Sequence, residues 1–288
     1  MTKNTAHSVG DDFLQSMAAA SAGRLQAAQA EIDLGELEHR ATAQPAPLPL
    51  HLSTAGFDLI AEVKKSSPSA GQLAAATLSP AAQAGKYAAA GAAAISVLTE
   101  PSRFAGSLTD LEQVVARITD IPVMRKDFLV DPYQVVEARA AGAGGVLLIA
   151  AILEPLMLRE MLQTAFDLGM FVLVEAFDEP DLLRCIPVMA EQMPAINNDG
   201  SCRMLLGINC RNLRTLDVEF MRFERLAEQL PDTIAWVAES GVDSPDKATL
   251  VSSVGYRLAL VGTALMRSDD PSGVVQSFIQ AGREARRT

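Results

Sequence analysis

Histidine is missing from the part of this chain that can form a core. His7, His39 and His51 all precede the first strand-like run at Phe57. A Ser-His-Asp triad, a Cys-His pair, a His-rich zinc site or a His general base would each need histidine in the body of the protein. Acid–base work therefore falls to Lys, Glu or Asp. Cysteine is scarce as well: Cys185, Cys202 and Cys210 are odd in number and lack metal-ligand spacing. Free thiols in a reducing cytosol are expected, with no structural disulfide and no metal. No apolar run reaches the ~18 residues of a membrane helix, and no secretory signal is evident. A cytoplasmic location with no membrane partner follows as the expectation. Basic residues are outnumbered, and the net charge of −11 argues against nucleic acid or an anionic membrane as partner. A small anionic substrate is still admissible, because a few cations can dominate inside a cleft.

What is present is core material. The chain has 288 residues, 49% hydrophobic and 20% charged, with only 5% aromatic. Abundant Ala, Leu, Val and Gly suit helices packed tightly on buried parallel strands. From Phe57 onward one unit recurs: apolar strand, polar loop, Ala/Leu-rich helix, small residues. Joins such as AAAGAAAISV, AAGAGGVLLI and SVGYRLALV put Gly at a helix end just before a β run. The pattern predicts strands near 57–63, 93–98, 121–125, 145–149, 171–175, 205–209, 233–238 and 257–261. Eight such units predict an α/β protein of the (β/α)8 barrel type rather than an open sheet.

Residues 1–50 read as an N-terminal extension and 51–288 as the barrel, a single domain overall. The extension holds a helix over about Asp11–Ile32, capped near Asp11 or Asp12, and a linker through Pro45, Pro47 and Pro49. It is expected to act as a lid, a barrel plug or an oligomer contact, in a monomer or homodimer. Between Asp178 and Leu205 the chain exceeds what one helix needs, and PAINNDGSC reads as a surface insertion.

Strands buried on both faces should be apolar throughout, yet several runs stop at a charged or polar residue. FDLIAEVKK carries Glu62 and Lys64, IPVMRKDF carries Lys126, and MFVLVEAF carries Glu175. LLGINCRN carries Asn209 and Arg211, and IAWVAESG carries Glu239. Alternation sorts their directions. Ile60, Glu62 and Lys64 share a face, as do Met124 and Lys126, Leu173 and Glu175, Gly207 with Asn209 and Arg211, and Val237 with Glu239. If these are lumen faces, the groups converge above the barrel axis, where barrel enzymes do chemistry. By the same parity Trp236 points outward, under the helices.

Ser240-Gly241 and Gly262-Thr263 follow strands seven and eight, where barrels often bind phosphate through backbone N–H groups. Ser66-Ser67-Pro68-Ser69-Ala70-Gly71 leaves strand one as a small-residue loop that reads as a flap or a plain turn. Phe104 and Phe128 follow strands two and three and can line an aromatic site, though single apolar residues more often pack.

With these residues in hand, the chain resembles the indole-3-glycerol phosphate synthase family. The resemblance runs from about Asp11 through AEVKKSSPSAG, ISVLTEPSRFAGSL, PVMRKDFLVDPYQVVEARAAGA, LVEAFDE, GINCRNL, AESGV and VGTALM. It implies a (β/α)8 barrel with an extra N-terminal helical segment that acts without cofactor or metal. It implies one phosphosugar substrate, 1-(2-carboxyphenylamino)-1-deoxyribulose 5-phosphate, which cyclises and loses carbon dioxide and water to give indole-3-glycerol phosphate in tryptophan biosynthesis. On that likeness Lys126 is the general acid at the substrate carbonyl, and Glu175 assists later proton transfer and dehydration. Lys64 is the second lysine, beside phosphate and carbonyl. Glu62, Asn209 and Glu239 orient these groups and the substrate hydroxyls. Arg211, Ser67 and Pro68 hold the anthranilate end, Phe104 and Phe128 form its apolar wall, and Ser240, Gly241, Gly262 and Thr263 take the phosphate. This chain departs from the usual pattern at Ala70, where many members carry a basic residue, at Cys210, and at Gly144-Gly145. A different phosphosugar barrel enzyme, such as an isomerase, or a non-catalytic scaffold that kept the barrel are the competing readings.

Overall fold

A computed structural model describes residues 9–73, 78–211 and 217–286, with side chains from 13 onward. Eight parallel strands close into a barrel. They are β1 (Asp58–Val63), β2 (Ala94–Leu98), β3 (Val123–Lys126), β4 (Gly145–Ile149), β5 (Phe171–Ala176), β6 (Met204–Asn209), β7 (Ala235–Glu239) and β8 (Leu258–Val261). Each pairs with its sequence neighbours, and β8 returns to β1. Each expected strand is found, shifted by at most two residues at its ends.

Burial follows from the pleat. One set of strand residues, including Ile95, Val97, Val146, Val172 and Leu206, packs outward under the helices. The alternate set, Ile60, Met124, Leu147, Leu173, Leu205, Val237 and Leu258, fills the lumen. The lumen is therefore a packed core below and a polar rim above. Trp236 lies on the outer side as expected, edge-on to Tyr256 at 5.8 Å between ring centres, with its indole N–H donating to Pro231 O.

The helices begin where local chemistry provides a cap. Ser79, Ser107, Asp131, Asp178 and Ser244 each accept a backbone N–H from the first turn of the following helix. Pro stands in the first turn of most of them, where its missing N–H costs nothing. The last helix, Pro271–Ala285, closes against β1.

The extension departs from its expected form in two ways. Helix α1 (Val9–Glu31) is already running by Val9, ahead of the cap expected at Asp11 or Asp12. A second helix, α2 (Leu34–Ala43), follows at once, capped by Asp33, whose carboxylate accepts from Glu36 N. It packs Leu37 and Ala41 on Tyr133 and Val136. The extension then touches both ends of the barrel. α1 brings Phe13 and Met17 to the rim where the strands end. The Pro-rich linker delivers Leu50, fully buried, to the opposite end of the lumen.

The irregular interval before β6 supplies the partner for that plug. Cys202 N donates to Leu50 O at 2.7 Å, and Cys202 bridges both Leu50 and Ile196. The segment read as a surface insertion thus helps seal the floor of the barrel. Among the described residues no helix is long and apolar enough to cross a membrane.

Candidate active site

Glu62, Lys126, Glu175, Asn209 and Glu239 are the last lumen-facing residues of β1, β3, β5, β6 and β7. Barrel closure brings them together over the packed lumen, around a cavity of about 700 Å³. Lys126 is the hub. Its Nζ donates to Glu239 Oε2 at 2.8 Å and lies 3.5 Å from Glu175 Oε2 and 3.9 Å from Glu62 Oε2. Lys64, just past β1, pairs with Glu62 Oε1 at 2.7 Å. Two ammonium groups thus share three carboxylates, nearly out of water, beside an open cavity.

The electrostatics follow from that crowding. Burial alone would lower the Lys126 pKa, but Glu239, Glu175 and Glu62 overcome it and push the ammonium above its ordinary range. Burial alone would raise Glu62, but Lys64, Lys126 and Arg211 hold it below the usual carboxylate range. Glu239 goes the other way. Burial raises it most, Lys126 opposes, and Glu175 adds to the rise, leaving it at about 8. Glu239 Oε1 is buried without a donor of its own, and Glu175 lies beside it. Burial and the neighbouring Glu175 thus favour the protonated form of Glu239, in which the orphaned oxygen can carry the proton.

Two glycines make the crowding possible. A Cβ on Gly207 would collide with Glu239 Oε1 and approach Leu173 Cδ1 to 3.0 Å. One on Gly262 would collide with Glu62 Oε1 and meet Lys64 Cε at 3.1 Å. After Glu239 the chain turns through two left-handed residues, Ser240 at φ 65° and Gly241 at φ 77°. For a serine this backbone costs about 1–2 kcal/mol, a strain of the kind that collects at functional sites. Gly262 leads into a short helix, Thr263–Met266, and Ser240, Gly241, Gly262 and Thr263 all line the cavity.

The opposite wall is aromatic. Phe104 and Phe128 lie 6.2 Å apart between ring centres, and Phe13 meets Phe128 edge-on at 6.2 Å. Ser67 and Pro68 sit in the loop after β1, where Ser66–Ser67 pairs with Gly71–Gln72 as a small antiparallel hairpin. Lys65 ties that loop to the body by donating to both oxygens of Asp110 at 2.7 Å. Asn209 Oδ1 accepts from Arg211 N at 3.0 Å, and Arg211 bridges Val218. Every site residue singled out from the sequence lines this one cavity.

Sequence reasoning missed other lining groups. Phe177 continues the lumen parity of Leu173 and Glu175 beyond the strand, so the signal was present. Phe13 lies on the buried stripe of α1, which no strand pattern reveals. Lys247 and Arg267, at the mouth, carry no local signal. The three cysteines are free and buried. Burial drives the Cys210 thiol well above its ordinary pKa, so Cys210 adds no nucleophile. Gly145 fits because a side chain there would strike the Phe171 ring.

The sequence profile described as indole-3-glycerol phosphate synthase matches residues 14–278. This chain belongs to the indole-3-glycerol phosphate synthase family. The indole-3-glycerol phosphate synthase of a Nocardioides species is 45% identical over 265 residues, covering 92% of each chain. Indole-3-glycerol phosphate synthase 1 of Streptomyces coelicolor is 43% identical over 277 residues, covering 96% of each. Among solved structures, 3-hexulose-6-phosphate synthase from Salmonella typhimurium superposes with a TM-score of 0.60 at 12% identity, over 80% of this chain and all of that one. At that identity the likeness speaks for the barrel alone.

Proposed function

We propose that this chain performs the reaction of its family, closing the ring of 1-(2-carboxyphenylamino)-1-deoxyribulose 5-phosphate with loss of carbon dioxide and water. The observation that carries the residue assignment is the Lys126 ammonium among Glu62, Glu175 and Glu239. That cluster lies between an aromatic wall and two glycine-containing loops. A substrate with an aromatic ring at one end and a phosphate at the other matches the two walls, and its ribulose carbonyl then lies near the ammonium.

Lys126 is the general acid. Attack of the aromatic carbon builds negative charge on the carbonyl oxygen, and a fixed ammonium in a site of low dielectric stabilises it. Loss of carbon dioxide restores aromaticity, so no electron-sink cofactor is needed. Glu175, with Glu239 beside it, handles the proton transfers of dehydration. Glu62 holds Lys64 toward the phosphate and the carbonyl, and Asn209 braces the turn that carries Arg211. Arg211 and Ser67 face the carboxylate of the anthranilate end and Pro68 packs beside it, Phe104 and Phe128 line its ring, and Ser240, Gly241, Gly262 and Thr263 take the phosphate. The extension and barrel act as one domain.

The test is indole fluorescence on adding the substrate to purified protein. Turnover supports the reading. An isomerised phosphosugar, or no product at all, would favour a different barrel enzyme or a scaffold.

A further inference from the structure

Helix α1 presents one continuous stripe to the rim. Phe13 meets Phe128, Met17 is buried against the lumen cluster, and Ser21 Oγ accepts from Gln134 Nε2 at 2.9 Å. Arg24 comes next. Its Nη2 donates to Asp127 Oδ1 at 2.7 Å, and its Nη1 lies 3.7 Å from Glu100 Oε1. Ala28 O then accepts from the Tyr133 hydroxyl at 3.1 Å. Spacings of four, four, three and four put all five on one helical face.

The two carboxylates that Arg24 touches have a second task. Asp127 Oδ1 also accepts from Phe128 N at 2.8 Å, and Glu100 accepts from Arg103 N at 2.7 Å and Phe104 N at 3.2 Å. Asp127 further accepts from Thr99 Oγ1 at 2.7 Å and from Arg125 Nη2 at 3.3 Å. Both carboxylates are buried, and a buried charge is costly unless it is paired. Arg125 also serves Glu137 at 2.7 Å. Arg24 spans Asp127 and Glu100 together, and those two hold the backbone of the wall phenylalanines.

We propose that Arg24 is a positioning residue for the aromatic end of the substrate: from the N-terminal helix it clamps Glu100 and Asp127, and through them Phe104 and Phe128. The inference rests on the function proposed above and extends it to a residue outside the cavity. Losing the clamp frees both loops and loosens the aromatic wall, while the phosphate loops across the cavity are untouched.

The experiment compares the full-length protein with Arg24→Gln and Arg24→Lys. Isothermal titration calorimetry measures binding of indole-3-glycerol phosphate, which has both ends, and of glycerol 3-phosphate, which lacks the ring. Arg24→Gln is expected to weaken the aromatic ligand on the order of 10-fold and to leave glycerol 3-phosphate within about twofold. Arg24→Lys keeps the charge but not the planar fork, so it should fall between the two. In turnover, the loss should appear more in KM than in kcat. Equal weakening of both ligands would reduce Arg24 to a general structural pair and overturn the proposal. So would unchanged binding of both. If far-UV circular dichroism shows Arg24→Gln unfolded, Arg24→Lys decides by the same selectivity. The two readings fail separately: wild-type protein without turnover sinks the activity, whereas ligand selectivity is read from binding alone.

Discussion

Replacing Lys126 by methionine removes the hub cation while keeping most of its stem. The Nζ lies 2.8, 3.5 and 3.9 Å from oxygens of Glu239, Glu175 and Glu62, so one substitution strips three carboxylates of a shared partner. Losing a donor to a developing oxyanion costs about 10²–10³ in kcat, and losing a general acid costs roughly 10²–10⁴. Both figures describe the same proton, so they do not multiply, and a fall of at least about 10²-fold is expected. Stability has its own signature. Breaking a buried pair costs about 3–5 kcal/mol when the orphaned charge must stay. Here the carboxyl groups can take up protons instead, since Glu239 already sits at about 8. Without Lys126, Glu239 rises further above its unfolded value and Glu62 loses one of the cations that hold it down. The stability that Glu239 carries is then present at low pH and lost as pH rises. In the wild type the raised Lys126 keeps its contribution throughout the neutral range and loses it only as pH climbs past the lysine range. Lys126→Met should therefore melt close to wild type at pH 5 and well below it at pH 8. Indole fluorescence gives kcat, and circular dichroism melts at the two pH values give the rest. A folded variant with kcat within tenfold of wild type would remove Lys126 from its role. A melting difference independent of pH would refute the electrostatic argument.

Three further outcomes follow from the same geometry. Glu175→Gln should lower kcat by roughly 10²-fold or more and flatten its pH profile, and an unchanged rate with an unchanged profile would show that Glu175 moves no proton. Gly207→Ala should reduce kcat without unfolding the barrel, because its Cβ displaces the far end of Glu239; a crystal structure of the variant with Glu239 unmoved would contradict this. Asp181, raised to about 6 by burial chiefly and by Asp178 and Glu175, accepts from Phe177 N at 2.9 Å. Because its folded pKa is raised, its cost to stability appears as pH climbs through that value, so Asp181→Asn should raise the melting temperature at pH 8 more than at pH 4.5.

The barrel and its rim were legible in the sequence because both obey short-range rules. Parity grouped Glu62, Lys126, Glu175 and Glu239 each with an apolar residue two positions earlier, and Asn209 with Gly207, and those shared faces are the ones that fill the lumen. The ion-pair partners were not legible, because closure of the sheet decides which strand ends face each other. The balance of two lysines against three glutamates likewise depends on closure, which sets Lys126 within 3.9 Å of carboxylates from three strands. Helix α2 carried a readable signal, Asp33 three residues ahead of Glu36, but its shortness and Gly35 concealed it. Leu50 and Cys202 meet only through the folded barrel, so no local pattern announced the plug.

That plug bears on the order in which the molecule is made. Residues early in the sequence depend on partners far downstream. Leu50 has no floor to seal until Cys202 has emerged, and Arg24 waits for Asp127, 103 positions downstream. Until then Phe13 and Met17 of α1 have no lumen cluster to join. The extension is thus a clasp whose two fastenings lie far apart along the sequence.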